Sequence, residues 1–294
     1  NRHYVIGFAN LNEQVPFAAE VRRNLERAAR EAGNVDLIVM DNELDANRAL
    51  EVADALIAAK CDLIIEYQLH VRAGAVLMEK FRQANLPVIA VDIPMIGATY
   101  FGADNYRAGQ MAGIALGQWI IEHWGGQLDM VVCLEEARAG MGPAARIQAQ
   151  LDMLGAALGP IPEAKIMRLD SGNSAPVSAA SVSAALARLP GLRRIAMLTF
   201  NDDSALGALL AARRLGREQD IVLTGQGGDR SLREELAKPN SRIIGATTYH
   251  PERYGAELIQ LALKILRGEP APPAVNIEHS FIFAGASAPT PLTA

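Results

Sequence analysis

Short apolar runs alternate with longer amphipathic segments along nearly the whole chain. The short runs are rich in β-branched and other apolar residues, as buried strands are. We predict strands at 4–9, 35–40, 63–66, 88–91, 130–134, 195–199, 221–224 and 274–282. Between them, apolar residues recur at helical spacing, and we predict helices at 16–32, 46–59, 71–83, 105–124, 143–158, 175–189, 203–214, 231–237 and 252–267.

Strands that alternate with helices in this way predict βαβ units, in which a parallel sheet is covered by helices on both faces. Pro16 suits the first turn of a helix, and Gly33 suits the left-handed position that ends one. The pair Gly125-Gly126 interrupts the pattern, and a second βα series begins at 130. The predicted fold class is therefore α/β, with two doubly wound parallel-sheet lobes.

Composition narrows the function classes. The 294 residues carry a net charge of −5, and each of the arginine pairs at 22–23, 193–194 and 213–214 falls on a predicted helix or at a helix end. Nucleic-acid binding needs clustered Lys and Arg, so we expect no nucleic-acid partner. No apolar stretch reaches the roughly 20 residues that span a bilayer. Cys61 and Cys133 have no metal-ligand spacing, and we predict two buried free thiols.

Motifs for catalysis or cofactor binding are not found in the sequence. The histidines form no pair at i, i+4, and neither a P-loop nor a Gly-x-Ser-x-Gly elbow occurs. The turn after the first strand lacks the dinucleotide fingerprint Gly-x-Gly-x-x-Gly. The segment 225–229 could hold an anion at a helix N-terminus, but a tight turn is the simpler interpretation. We expect a protein that is not an enzyme, with no cofactor and no metal site.

Polar residues gather at the carboxyl ends of the predicted strands in both halves. They are Asn10, Asn12 and Gln14 after the first strand, Tyr67 and Gln68 after the third, Asp92 after the fourth, and Arg138 (within 135–141), Asn201, Asp202, Gln226 and Tyr249 in the second series. In open α/β sheets ligands bind at this edge. A turn or cap role is an equal alternative for each residue taken alone, and the shared edge is what favours ligand binding.

The order of several short motifs resembles the type I periplasmic binding proteins of the ribose-binding kind. The motifs are the segment 12–17, Gly102-Ala103-Asp104-Asn105, Ala144-Ala145-Arg146, Phe200-Asn201-Asp202, Thr224-Gly225-Gln226, and Pro251 with Tyr254-Gly255. The resemblance implies two lobes, 1–104 with 250–279 and 105–249 with 280–294. Three crossings would form a hinge between them, near Asp104, 249–251 and 278–280.

The resemblance also implies roles for particular residues. Asp92 is similar to the acid that takes sugar hydroxyls, Asn201 to a cleft asparagine, Phe17 to an aromatic wall and Tyr249 to a hinge-side polar group. The remaining implied ligand positions are those of Arg146 and Gln148.

Three departures from the family pattern remove charge from this site. Ile93 follows the acid where the family has an arginine, Gln148 replaces a second arginine, and Gln226 replaces an acid. Charge-assisted hydrogen bonds are about twice as strong as neutral ones. We therefore expect a neutral sugar or polyol rather than ribose in particular.

The resemblance implies an extracytoplasmic solute-binding protein, periplasmic or on the cell surface, that delivers its ligand to the permease of an ABC importer. We expect a monomer that meets the membrane only through the permease or through a lipid anchor. The alternative is the effector-binding core of a lac-repressor-like regulator. The sequence leaves open whether a signal peptide, a lipid anchor or a DNA-binding headpiece precedes Asn1.

Overall fold

The computed structural model describes residues 2–285. These residues form two compact units. The first unit contains 2–103, Arg138–Pro143 and His250–Ile277, and the second contains Asp104–Ala137, Ala144–Tyr249 and 278–285. The division expected from the sequence differs in its placement of Asp104, of segment 138–143 and of residues 278–279. Whether the units act as lobes about a hinge stays a prediction.

Strands and helices alternate as the hydrophobic pattern predicts. The strands are β1 Tyr4–Asn10, β2 Val35–Asp41, β3 Leu63–Glu66, β4 Val88–Val91, β5 Thr99–Gly102, β6 Met130–Glu135, β7 Ile166–Asp170, β8 Ile195–Thr199, β9 Ile221–Gly227, β10 Ile243–Thr248, β11 Ala274–Asn276 and β12 Ser280–Phe283. The helices are α1 Pro16–Ala32, α2 Ala46–Ala58, α3 Val71–Gln83, α4 Asn105–Trp124, α5 Met141–Leu158, α6 Ala175–Ala187, α7 Asp202–Arg214, α8 Arg230–Leu236 and α9 Pro251–Leu266.

Each unit is built around one six-stranded sheet. The order in the first is β11-β5-β4-β3-β1-β2, and in the second it is β12-β10-β9-β8-β6-β7. Neighbouring strands pair in parallel, except that β12 runs antiparallel to β10. The predicted α/β class with parallel sheets is confirmed. Because parallel strands end at one edge, the residues that follow β1, β3 and β4 lie at the same edge of the first sheet.

Some strand predictions were wrong or incomplete. The predicted strand at 274–282 is two strands, β11 and β12, which belong to different sheets. The strands β5, β7 and β10 were not predicted from the sequence. In β7 every residue is exposed or half-buried, and Gly245 interrupts the apolar pattern of β10. Hydrophobic periodicity is weak in such strands, because contacts with neighbouring strands rather than local sequence hold them in the sheet.

Helix ends follow the local chemistry of the chain. Gly33 ends α1 with φ 72°, the left-handed conformation that glycine adopts without steric cost. The carboxylate of Asp104 caps α4 by accepting a hydrogen bond from the N–H of Arg107 at 3.0 Å. No helix within residues 2–285 combines the length and the apolar character that a membrane span requires.

Both cysteines are free and buried, as predicted. Burial raises the pKa of Cys61 to about 11 and that of Cys133 to about 12. Both thiols are therefore protonated at neutral pH, and each packs as a small apolar side chain.

Candidate functional site

Asp92 lies at the carboxyl end of β4, where the backbone turns sharply. Its φ is 58°, a left-handed conformation that Asp tolerates better than most residues. Oδ1 accepts a hydrogen bond from the N–H of Ala103 at 3.1 Å, and only 4% of the residue is exposed. The backbone of Gly102 packs against it so closely that a Cβ there would stand 2.4 Å from Oδ1. The fold therefore holds this carboxylate against the start of the segment after β5.

Tyr254 on α9 completes the surroundings of Asp92. Its hydroxyl donates to Oδ1 of Asp92 at 3.0 Å and to Oδ2 at 3.3 Å. The ring packs edge-on against Phe17 and Phe101, with centroid distances of 5.6 Å and 5.1 Å. The structure thus brings Phe17 and Asp92 together through a tyrosine that the site prediction missed. Tyr254 belongs to the motif Pro251 with Tyr254-Gly255, which gave it a place in the resemblance but no role in the site.

The turn after β1 is held by its own polar side chains. The amide of Asn10 is fully buried, and its Nδ2 donates to Glu13 Oε1 at 2.7 Å. Asn10 Oδ1 accepts from the N–H of Leu11. Asn12 Oδ1 accepts from the N–H of Gln14 at 2.7 Å, while the Gln14 side chain is exposed. These bonds give Asn10 and Asn12 a turn-forming role, and ligand contact by any of the three residues stays a prediction.

Buried polar groups also follow β3. Tyr67 and Gln68 are 6% and 2% exposed. Glu66, the last residue of β3, is fully buried, and its Oε1 accepts from Asn42 Nδ2 at 2.9 Å. Burial raises the pKa of Glu66 to about 8, which its hydrogen bond with Asn42 only partly offsets. At neutral pH this side chain is therefore mostly a neutral carboxylic acid.

In the second unit, Gln226 and Tyr249 form a buried pair. The Tyr249 hydroxyl donates to Gln226 Oε1 at 2.9 Å, and the two residues are 3% and 2% exposed. Gln226 Nε2 lies 3.4 Å from the carbonyl oxygen of Ala108 on α4. The predicted residues at the ends of β9 and β10 thus meet each other and the first turn of α4.

Arg146 joins the same part of the second unit. Its Nε and Nη2 donate to Asn105 Oδ1 at 3.0 Å and 2.7 Å, and Nη1 donates to the carbonyl of Phe200 at 2.8 Å. The guanidinium also lies over two rings, 4.4 Å from the centroid of Phe200 and 5.3 Å from that of Tyr249. The structure therefore unites Arg146, Gln226 and Tyr249, and it adds Asn105 and Phe200 to the predicted set.

Asn201 forms the N-cap of α7. Its Oδ1 accepts from the N–H of Ser204 at 2.8 Å, and Ser204 Oγ in turn accepts from the N–H of Asn201, which makes a reciprocal capping box. Asn201 Nδ2 donates to Asn173 Oδ1 at 2.9 Å. The half-buried side chain thus has a structural role, and its predicted ligand contact is untested.

In the segment 225–229, residues 225–227 belong to β9, and only residues 228 and 229 connect that strand to α8. Strand β9 runs through Gly227, and the N–H of Asp229 donates to Asp202 Oδ2 at 2.8 Å. Burial and Asp229 raise the pKa of Asp202, and the same causes raise that of Asp203 to about 7. An anion would meet acidic groups here, which favours the turn interpretation.

Gln148 and Arg138 were also predicted as ligand-binding residues, and their contact with a ligand stays a prediction. Gln148 is exposed on α5, and its Nε2 donates to Asp152 Oδ1 at 2.8 Å. Arg138 is half-buried in segment 138–143, which belongs to the first unit although it follows β6. We call Phe17, Asp92 and Tyr254 the first edge group, and Arg146, Gln226 and Tyr249 the second edge group. Each group lies within one unit.

The chain belongs to the family of the periplasmic binding protein domain, which it matches over residues 6–270. A D-ribose/D-allose-binding protein from Pseudomonas aeruginosa is 23% identical over 238 residues, which make up 78% of this chain and 70% of that protein. The resemblance to binding proteins of the ribose-binding kind is thereby confirmed. Members of this family bind solutes for transport, so the chain is a binding protein rather than an enzyme, as predicted.

Solved structures agree on the fold. A Mycobacterium smegmatis protein in complex with β-D-fucofuranose has a TM-score of 0.80 at 19% identity, covering 96% of this chain and 91% of that one. An ABC transporter solute-binding protein from Bacillus halodurans with bound myo-inositol also has a TM-score of 0.80, at 15% identity, covering 96% and 95%. At these identities the likeness establishes the architecture alone.

Proposed function

We propose that this protein captures a small neutral sugar or polyol outside the cytoplasm and delivers it to an ABC importer. Membership in the periplasmic binding protein family over residues 6–270 carries this proposal. The related proteins described above bind or are named for β-D-fucofuranose, myo-inositol and D-ribose or D-allose, which are all polyhydroxylated and uncharged.

The chemistry of the two edge groups suits such a ligand. A carboxylate accepts hydrogen bonds from hydroxyl groups, and Asp92 supplies a carboxylate that is hydrogen-bonded to Tyr254, whose ring contacts that of Phe17. The second edge group adds the amide of Gln226 and the hydroxyl of Tyr249, which both donate and accept. Ile93 stands where an arginine follows the acid in similar proteins, so a charged clamp is missing at that position. This pattern favours a neutral, hydroxyl-rich solute over an anion.

The membrane partner we propose is the permease of an ABC importer, and the binding protein is a monomer located in the periplasm or at the cell surface. The alternative, the effector-binding core of a transcription regulator, has less support, because the similar protein from Bacillus halodurans is an ABC transporter solute-binding protein. The enclosure of the ligand between two lobes, with closure about the crossings near Asp104, 249–251 and 278–280, stays a prediction. Binding would favour the closed state by its differential affinity for the two states.

A thermal-shift screen followed by calorimetry tests the function. The full chain is screened against D-ribose, D-allose, D-fucose, myo-inositol, an anionic sugar phosphate and an amino acid. A ligand at about 100 times its Kd stabilises the folded protein by roughly 2.7 kcal/mol, which shifts the melting temperature measurably. We expect stabilisation by one or more neutral polyols. Stabilisation by the sugar phosphate or the amino acid alone would overturn the ligand class, and conversion of a bound sugar to a product would overturn the binding role.

A further inference from the structure

The hydroxyl of Tyr254 is aimed at a single carboxylate from the middle of a buried aromatic cluster. Tyr254 is fully buried, and Phe17 and Phe101 contact its ring edge-on. Phenylalanine would fill this space equally well, and it would carry no polar atom into the core. The hydroxyl therefore serves the group it reaches, and that group is Asp92 at 3.0 Å and 3.3 Å.

We propose that Tyr254 is a positioning residue, which holds the carboxylate of Asp92 in the orientation that accepts a ligand hydroxyl. This inference rests on the proposed function, because it takes Asp92 as a ligand-binding group. It adds a residue that the sequence resemblance did not assign to the site.

Geometry gives the first reason. Oδ1 of Asp92 receives two donors, the Tyr254 hydroxyl at 3.0 Å and the N–H of Ala103 at 3.1 Å, which come from α9 and from the segment after β5. Two donors from different elements fix both the position and the plane of the carboxylate. A carboxylate that is already oriented loses less conformational entropy when a ligand binds, so its hydrogen bond contributes more to affinity.

Electrostatics gives the second reason. A tyrosine hydroxyl can donate to a carboxylate only while it keeps its proton. Tyr254 is a dependable donor, because burial and then the charge of Asp92 raise its pKa well above the usual range for tyrosine. Tyr67 and Tyr100 are the other titratable groups that act on Tyr254, in the same direction. The hydroxyl thus keeps its proton throughout the physiological pH range.

The substitution Tyr254→Phe removes the hydroxyl and keeps the ring. We measure the affinity of the full chain for the tightest binder among D-ribose, D-allose and myo-inositol by calorimetry. We expect Tyr254→Phe to weaken binding about tenfold or more, the loss expected for a hydrogen bond to a charged group. Tyr4→Phe is the matched control, because Tyr4 begins β1, at the end of the strand away from the polar edge. The affinity of this variant for the polyol should stay within about twofold of the parent's.

A double-mutant cycle separates positioning from general packing. In an Asp92→Ala background, Tyr254→Phe should change affinity less than about twofold, because the group it positions is gone. An unchanged affinity for Tyr254→Phe in the parent, or an equal loss in both backgrounds, would overturn the inference while the proposed function stands. If the parent binds none of these three polyols and no other neutral sugar of the thermal-shift screen, the proposed ligand class fails and the inference fails with it.

If the Tyr254→Phe variant does not fold, a measurement on the parent chain tests the inference instead. The parent chain is labelled with 3-fluorotyrosine, and the Tyr254 resonance is assigned by elimination from Tyr→Phe variants at the other tyrosines. Addition of the same polyol should shift the Tyr254 fluorine resonance and leave that of Tyr4 in place. A Tyr254 resonance that does not move at saturating polyol would count against the positioning role.

Discussion

His279 accepts a hydrogen bond from the backbone N–H of Asp104, with 3.1 Å between Nε2 and the amide nitrogen. The other ring nitrogen, Nδ1, lies 3.3 Å from the carbonyl oxygen of Thr248, and the ring meets that of Tyr249 at 4.9 Å. Both bonds form together only when His279 is neutral, with its proton on Nδ1 and a lone pair on Nε2. One side chain thus links three segments that the sequence predicted to be crossings between lobes.

We predict that His279→Ala lowers the free energy of unfolding by about 1–3 kcal/mol, because it removes two hydrogen bonds and one ring contact. Urea denaturation at pH 7 measures the change. His3→Ala is the control, because the side chain of His3 is 54% exposed and its contact with Asp36, 2.9 Å between Nε2 and Oδ2, is open to solvent. That variant should stay within about 0.5 kcal/mol of the parent. If the two variants are equally stable, the contacts of His279 do not stabilise the fold and the prediction is wrong.

The polar residues of the site can be tested with substitutions that preserve their structural roles. Asp92→Asn keeps the shape of the side chain, Asn201→Ser keeps a residue that caps α7, and Tyr249→Phe keeps the ring over which Arg146 lies. We expect each to weaken the binding free energy of the best polyol by about 1–3 kcal/mol.

Calorimetry with the same polyol measures each loss, and thermal denaturation without ligand verifies that the variants are folded. If all three bind as tightly as the parent, the assignment of these residues to the ligand site is wrong. If only Asp92→Asn is impaired, ligand binding is confined to the first edge group.

Glu66 should make the stability of the protein depend on pH. The pKa of its buried side chain is raised to about 8, while an unfolded glutamate has a pKa of about 4.3. Between these values the folded state binds a proton that the unfolded state has lost. The free energy of unfolding therefore falls as the pH rises through this window, by a few kcal/mol at most, and levels off above about pH 8.

Glu66→Gln should remove this part of the slope, since the amide cannot ionise. Unfolding is measured at pH 5, 7 and 9 for the parent and the variant, and the parent should lose more stability over this range. The raised pKa of Asp203 adds a slope of the same sign to both proteins, so the difference between them reports on Glu66. Glu51→Gln, at an exposed position, is the control. Parallel pH curves for parent and Glu66→Gln would contradict the prediction.

The contact between α4 and α5 requires glycine at position 109. A Cβ at Gly109 would stand 2.2 Å from the carbonyl oxygen of Arg146, so alanine forces the helices apart. We expect Gly109→Ala to lower the free energy of unfolding by about 1–3 kcal/mol, and to weaken ligand binding because Arg146 moves.

Gly155 provides the matched control within α5. A Cβ there meets no atom within 4 Å. Gly155→Ala should raise the stability by about 0.5–1 kcal/mol, since alanine has the higher helix propensity. Chemical denaturation of both variants gives the comparison. A neutral or stabilising effect of Gly109→Ala would show that the helices can separate without cost.

Local sequence determined most of the secondary structure. The strands β3, β4 and β8 lie at the predicted residues, because nearly all of their residues are apolar and such a run is recognised without knowledge of its neighbouring strands. The start of α1 at Pro16 and the cap of α4 at Asp104 also follow from neighbouring residues. The same patterns predicted the α/β class and the edge of each sheet where polar residues collect.

The tertiary structure decided which of these polar residues meet. Tyr254 and Asp92 are 162 residues apart in the chain, and no spacing or periodicity links a residue of α9 to the end of β4. The division of 274–282 between two sheets likewise depends on which strands lie beside β5 and β10. Hydrophobic periodicity reports only whether a residue faces the core. The partner of a buried hydroxyl or carboxylate depends on the packing of distant elements, because the folded chain must satisfy each buried polar group wherever a donor or acceptor lies within reach.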